Sequence, residues 1–136
     1  MAMIQSVKLG KEFVVVSENK VGVLSKVAAL LADRGIDIVA ISAQAAGGVA
    51  LMNFVTDDAL RTREILAKKG LKAQENAVLL VEAADRPGVL MRITRKLAAQ
   101  KIDVLNIYAS APASYGPCTL VIATNNNQKA LVTLKR

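Results

Sequence analysis

The chain has 136 residues, 53% of them hydrophobic, and its 18 basic and 11 acidic residues give a formal net charge of +7. That length suits one ordinary domain or two very small ones. A single cysteine, Cys118, excludes an internal disulfide framework, and the absence of histidine removes the commonest general base and metal ligand. No apolar run approaches the roughly 20 residues of a membrane span, and the N-terminus has no signal-peptide pattern. We therefore expect a cytoplasmic protein without membrane contact.

The first half of the chain predicts a strand, a helix, a hairpin of two strands, a second helix and a short last strand. The first strand is β-branched and apolar, and the first helix places apolar residues at helical spacing. Gly35 is predicted to end that helix, and Asp57 or Asp58 to cap the second. The predicted segments are 13–16 (strand), 21–34 (helix), 36–42 and 49–55 (hairpin), 58–69 (helix) and 71–74 (strand).

The second half predicts the same order, but the chain stops before its last strand. Pro87 is predicted to open the first helix of this half, because its fixed φ suits that position. One of residues 125–127 is expected to cap the last helix. The segments are 77–82 (strand), 87–98 (helix), 102–109 and 119–123 (hairpin, joined by a loop over 110–117) and a helix through Leu134.

An internal repeat relates the two halves. Gly22 and Gly88 lie 66 positions apart, and at that offset nine of the 27 residues from Glu18 to Gln44 are identical to their counterparts. A repeat of this length indicates two similar structural units. Units of about 60–70 residues bury only about 60% of their unfolded surface, so we expect them to pack on each other and on another chain.

The missing last strand leaves an open sheet edge, which proteins usually cover. Residues 3–9 precede the first repeat and are not needed by it. One hypothesis is that they form a strand at the vacant edge of the second repeat, from the same chain or from a dimer mate. The alternative is that they extend the strand at Phe13, with a bulge at Gly10 and Lys11.

The motif Asn-x-x-Gly-Val-Leu at 19–24, followed by Gly-Ile-Asp-Ile at 35–38, resembles the ACT domain. The second copy, Asp-Arg-Pro-Gly-Val-Leu at 85–90, is the more typical form of the signature. The resemblance implies an α+β fold of two ferredoxin-like βαββαβ units with antiparallel sheets and helices on one face. It also implies two domains, residues 1–75 and 76–136, and an arrangement similar to small stand-alone tandem ACT proteins.

A turn from strand to helix offers free backbone N–H groups and the positive end of a helix dipole, which suit a carboxylate. An amino acid also needs an acceptor for its ammonium group, and carboxylates fill that role well. The resemblance implies that polar residues of both repeats bind ligand together with the turns. The candidate ligand-binding residues are Asn19, Val21, Gly22, Val23, Leu24, Asp37 and Ile38 in the first repeat, and Asp85, Pro87, Gly88, Val89, Leu90, Asp103 and Val104 in the second.

Each candidate also has a purely structural interpretation. Asn19 and Asp85 could simply cap the helices. The two glycines could serve tight packing of helix on sheet, and Asp37 and Asp103 could be ordinary polar residues on the outer side of a strand. Ser17 and Ala83 stand where serine-sensing relatives carry histidine, and Val21 replaces the usual proline, which argues against serine and suggests a weaker first site.

We therefore expect a non-catalytic regulatory protein without metal or cofactor. Its expected function is to bind an amino acid as a homodimer, with a biosynthetic enzyme as partner. One alternative is RNA binding, because the same element order occurs in RNA-recognition domains that stack bases on strand aromatics. Phe13 and Phe54 fall on suitable strands, but aromatic residues make up only 3% of the chain and residues 49–54 do not fit the aromatic-rich motif of those domains. Both phenylalanines are therefore predicted to lie in the core. The other alternative is a subunit that docks on an enzyme without binding a ligand.

Overall fold

The computed structural model describes residues 3–110 and 116–136; the centre of the predicted loop over 110–117 lies outside these ranges. Within these ranges, six antiparallel strands and four helices confirm the predicted α+β class. No helix within the described ranges is long and apolar enough to cross a membrane. The elements are β1 (Ile4–Glu18), α1 (Val23–Ala32), β2 (Ile38–Ala46), β3 (Val49–Thr56), α2 (Ala59–Lys68), β4 (Ala73–Ala83), α3 (Val89–Ala99), β5 (Val104–Ser110), β6 (Cys118–Thr124) and α4 (Asn127–Lys135).

The chain divides into two compact units. The first unit is Lys11–Asn76, and the second unit combines the described residues of Met1–Gly10 with Ala77–Arg136. The N-terminal segment therefore groups with the second half of the chain, whereas the sequence-based division placed it with the first. That division, at residue 75, stays a prediction.

In the first unit, the strand order is β2-β3-β1, and the start of β4 follows β1 in the sheet. Alternate residues of β1 face the helices, and Phe13 pairs with Phe54 on β3. The two rings stack at a centroid distance of 5.9 Å, and both are almost completely buried. Both phenylalanines are thus core residues, as the sequence favoured. The core of this unit is Phe13, Val15, Val27, Leu31, Ile36, Met52, Phe54, Ile65 and Leu66.

In the second unit, the N-terminal part of β1 lies beside β4, followed by β6 and β5. The backbone N–H of Ala84 donates to the carbonyl of Met3 at 2.7 Å, and Val7 belongs to the core of this unit. Residues from the N-terminus of the same chain therefore supply the strand that the second repeat lacks. Because β1 runs unbroken from Ile4 to Glu18, it also extends the strand at Phe13. The hypothesis that residues 3–9 fill the vacant edge is therefore confirmed together with the extension of the strand, while the bulge at Gly10 and Lys11 stays a prediction.

The core of the second unit repeats that of the first at equivalent positions. Ile93 and Leu97 of α3 are fully buried, as Val27 and Leu31 of α1 are. The second helix of each unit begins at a predicted cap: the side chain of Asp58 accepts from the N–H of Arg61, and that of Asn126 accepts from the N–H of Lys129. The core residues are Val7, Leu79, Val81, Ala83, Val89, Ile93, Leu97, Ile102, Cys118, Leu120, Ile122, Ala130 and Leu134.

The end of the first helix differs between the units. Gly35 has φ 69° and the N–H of Ile36 reaches back to the carbonyl of Leu31, so the helix ends at the predicted glycine. The equivalent residue in the second unit is Lys101, with φ 57°. A side chain in this left-handed conformation costs roughly 1 kcal/mol relative to glycine.

Replacing Lys101 by glycine is therefore expected to raise the free energy of unfolding by about 0.5–1 kcal/mol. Urea unfolding at fixed protein concentration measures the change. Lys101→Ala is the control, because alanine retains a Cβ and should give no such gain. Equal stabilisation by both substitutions would contradict the interpretation.

Gly10 marks a close approach within the second unit. A Cβ built at this residue would lie 2.5 Å from Cδ1 and 2.9 Å from Cγ of Leu80. Gly10→Ala should therefore lower the free energy of unfolding by about 1–2 kcal/mol, as overpacking does. In a Leu80→Ala background that cost should vanish. The same cost in both backgrounds would show that the contact is not the cause.

Candidate functional site

Both predicted ligand turns have the same backbone conformation. Gly22 and Gly88 are the residues that precede α1 and α3, with φ 89° and 92°. Their carbonyls accept the first helical hydrogen bonds, from Lys26 and Arg92, each at 3.0 Å. At the start of α3, the backbone N–H groups of Leu90 and Met91 have no backbone acceptor among the described residues. These two N–H groups are the free hydrogen-bond donors of this helix start.

The glycines are required by their conformation and not by packing. A Cβ at Gly22 would meet nothing within 4 Å, and one at Gly88 would touch only the Met3 methyl at 3.9 Å. The interpretation that they allow tight helix–sheet packing is therefore wrong. Positive φ disfavours any other residue here.

The capping interpretation of Asn19 and Asp85 is also wrong. Neither α1 nor α3 has a side-chain cap. Asn19 is held instead by its backbone N–H, which donates to the carbonyl of Gly48 at 2.8 Å. Pro87 lies two residues before Val89, so it belongs to the turn and does not open the helix. Asn19 and Asp85 are both exposed at the turns.

A pocket of about 360 Å³ lies at the start of α3 and is here called the α3 pocket. Three predicted ligand residues contribute to it: Asp85, Val89 and Leu90. The other lining residues come from the hairpin of β5 and β6. Ala83 at the end of β4 pairs with Cys118 at the start of β6, so this hairpin lies beside the turn that follows β4. The lining is Asp85, Val89, Leu90, Ile107, Tyr108, Ala109, Cys118 and Leu120.

The walls of the α3 pocket are mostly aliphatic, with polar groups from Asp85, Tyr108 and Cys118. Burial raises the pKa of the Cys118 thiol above its usual range, and the negative charge of Asp85 raises it further. The thiol is therefore protonated near neutral pH and belongs to the apolar wall, since a buried cysteine behaves as a small hydrophobe.

The sequence missed the hairpin residues of this pocket, namely Ile107, Tyr108, Ala109 and Leu120. Their contribution depends on the pairing of β5 with β6, which sets Tyr108 opposite Val121. Identity of Ile107 and Ala109 with Ile41 and Ala43 in the repeat was the one available signal, but it could equally mark core positions.

Asp37 and Asp103 lie at the other end of their units. The N–H of Asp37 donates to the side chain of Asp57 at 2.9 Å, just beyond the end of β3, while Asn19 is bonded to Gly48, just before its start. An eight-residue strand separates these points, a span of roughly 25 Å. The structure therefore does not bring Asn19 and Asp37 into one site within the first unit.

The second unit repeats this separation. The N–H of Asp103 donates to the side chain of Asn125 at 3.0 Å, beyond the end of β6, whereas Asp85 lies beside the start of β6. Ile38 and Val104, which follow the two aspartates, pack partly against the cores of their units. The paired acceptors Asn19/Asp37 and Asp85/Asp103 are thus not assembled within either unit.

The equivalent turn of the first unit is more open. Val21 is completely exposed, Leu24 is 43% exposed and Ile41, the counterpart of Ile107, is 41% exposed. Val23 is half-buried and packs against the core. Val21, Leu24 and Ile41 therefore expose apolar side chains at this turn.

Comparison with known proteins supports the observed fold. Residues 13–72, which lie in the first unit, match the family described as the AHAS small subunit-like ACT domain. No curated protein sequence matches the chain.

Several solved structures are similar along nearly the whole chain. Protein BT0572 from Bacteroides thetaiotaomicron has a TM-score of 0.84 at 22% identity, over 98% of this chain and 88% of that one. The ligand-free regulatory subunit of aspartate kinase from Thermus thermophilus has a TM-score of 0.67 at 19% identity, over 98% and 97%. The same subunit from Thermus flavus has a TM-score of 0.60 at 20% identity, over 98% and 97%. At these identities, the similarity establishes the fold.

Because Asp85 raises the pKa of the Cys118 thiol, Asp85→Asn should lower that pKa and speed alkylation of the thiol by iodoacetamide at pH 8. Asp103→Asn, at the far end of the unit, is the matched control and should leave the rate unchanged. Unfolded chains of all three proteins should react alike. Equal alkylation rates in the folded proteins would contradict the assignment.

The same raised pKa of the Cys118 thiol implies that the free energy of unfolding falls as pH rises above about 8.5, where the unfolded thiol ionises.

Proposed function

We propose that this protein is a non-catalytic regulatory protein that binds an amino acid with an apolar side chain in the α3 pocket. The match of residues 13–72 to an ACT-domain family, and the repetition of their fold in the second unit, support the proposal. The observation that carries the proposal is the position of this pocket. It combines a helix N-terminus, a carboxylate and an aliphatic wall within the second unit.

The ligand carboxylate would lie at the start of α3. The N–H groups of Leu90 and Met91 are available there, and the helix dipole favours negative charge. The positive φ of Gly88 turns the chain so that the helix begins beside the pocket.

The ligand ammonium would pair with Asp85. This carboxylate lines the pocket, and no helix cap occupies it. A hydrogen bond between two charged groups is about twice as strong as a neutral one, so it would select an amino acid over an uncharged ligand.

The ligand side chain would contact Val89, Ile107 and Leu120. Ligand pockets usually range from about 300 to 1,000 Å³, so a pocket of about 360 Å³ suits a small molecule. An aliphatic wall favours aliphatic or thioether side chains, since a polar side chain would lose its hydration there.

Regulation would follow if the ligand favours one arrangement of the protein over another, because a ligand shifts such an equilibrium only by its differential affinity. The structural similarity to regulatory subunits of aspartate kinase supports a role beside a biosynthetic enzyme. Exposed Val21, Leu24 and Leu90 at the turns are consistent with assembly as a homodimer.

The RNA-binding alternative depended on Phe13 and Phe54. Both rings are buried against each other in the core of the first unit, so neither offers a surface on which a base could stack. The remaining support for that alternative is the net charge of +7.

The test is thermal unfolding of the full chain with each of the twenty amino acids, and separately with a pool of short RNA. An apolar amino acid at about 100 times its dissociation constant should stabilise the fold by roughly 2.7 kcal/mol. Asp85→Asn should remove the shift, and Asp103→Asn should retain it.

The other outcomes discriminate among the alternatives. Loss of the shift in Asp103→Asn as well would mean that the ligand bridges two copies and that the α3 pocket alone is not the site. A shift with RNA alone would replace the proposal by nucleic-acid binding. No shift with any ligand would favour a docking subunit without a small-molecule effector.

A further inference from the structure

We infer that the outer surface of α1 is a docking site for an acidic, amphipathic helix of a partner protein. This surface belongs to the first unit and shares no residue with the α3 pocket. The inference therefore does not depend on the proposed amino-acid binding.

The composition of α1 is unusual for a helix on the outside of a unit. Its ten residues, VLSKVAALLA, include only two polar ones, Ser25 and Lys26, yet only Val27 and Leu31 are buried. Ala29 is exposed and Leu30 is only half-buried, although both are apolar. A surface helix ordinarily carries polar residues on its outer face, so α1 presents an apolar surface that its own unit leaves uncovered.

This surface contains a groove of about 440 Å³, here called the α1 groove. Its walls are aliphatic, with side chains from α1 and from the segment after α2. Lys26 and Lys69 line it, and Asp33 is the single acidic residue in the lining. The lining residues are Val23, Lys26, Val27, Ala29, Leu30, Asp33, Lys69 and Leu71.

The second unit provides an internal comparison. The buried positions Val27 and Leu31 of α1 keep their apolar character in α3, as Ile93 and Leu97. The outer positions Ala29 and Leu30 do not, because their counterparts are Arg95 and Lys96.

Lys96 donates to the backbone carbonyl of Arg136 at 2.6 Å, so the equivalent surface of the second unit has its own polar contacts. The fold therefore does not require an apolar outer surface on this helix. The apolar character of Ala29 and Leu30 in the α1 groove is therefore a property of the first unit alone.

Charge identifies the partner. The ion pairs of the described ranges involve Lys20, Arg61 and Arg63 and include neither Lys26 nor Lys69. The whole chain carries a net charge of +7. A second copy would bring a similarly charged surface, whereas acidic residues beside apolar anchors would pair with both lysines. Complementary charge of this kind steers and orients association.

Length identifies the form of the partner segment. The groove follows α1 from Val23 to Asp33, which is about 15 Å of helix axis. That length accommodates roughly three turns of a partner helix, with apolar anchors at i, i+3, i+4 and i+7.

The test measures binding to the full chain by fluorescence anisotropy. The probe is a fluorescein-labelled helical peptide of about 18 residues with leucines at i, i+3, i+4 and i+7 and glutamates on both flanks. A peptide with lysines in place of the glutamates is the negative probe. Leu30→Lys, which installs the residue found in the second unit, and the double variant Lys26→Glu/Lys69→Glu should each weaken binding at least about tenfold.

Two matched controls carry the same chemical changes elsewhere. Val132→Lys alters an exposed apolar residue of α4, and Arg92→Glu reverses the residue equivalent to Lys26. Both should bind within about twofold of the natural chain. Circular dichroism and the unfolding midpoint establish that each variant folds.

Failure of the acidic peptide to bind the natural chain, or equal binding by all variants, would overturn the inference. Sedimentation adds an independent check. If the natural chain is a dimer and Leu30→Lys is a folded monomer, a second copy covers the groove and the proposed partner is wrong.

Discussion

The structure depends on the pairing of β1 with β4. A ferredoxin-like unit needs a strand at the edge beside its first strand, and no strand follows α4 among the described elements. The N-terminal part of β1 fills that place, with Met3 bonded to Ala84, Val7 in the core and Gly10 against Leu80. Without this strand, β4 would expose a row of unpaired backbone groups in the second unit.

The two repeats keep one scaffold and use it differently. Buried positions of the first helix remain apolar in both, because each must fill a similar core. Outer positions have diverged: the second unit encloses a pocket at the start of α3, whereas the first exposes Val21 and Leu24 at its turn and carries a groove along α1. The proposed ligand site and the proposed docking site therefore lie on different units.

Local sequence rules predicted much of the fold. Gly35 ends α1, Asp58 and Asn126 cap the later helices, and Phe13 and Phe54 lie in the core, because each feature depends on a few neighbouring residues. The candidate site was predicted less completely. Asp85, Val89 and Leu90 line the α3 pocket, but the hairpin residues beside them were missed.

The sequence by itself determined the repeat, the order of the elements and the two glycine turns, because periodicity and backbone preference are local properties. Only the tertiary structure decided which turn residues share a pocket. Asp37 and Asp103 follow the glycine turns closely in sequence, yet a whole helix carries the chain to the other end of the unit before each is reached. Tertiary structure also decided that residues 4–10 serve the second unit, since strand pairing joins segments that are more than 60 positions apart in the chain.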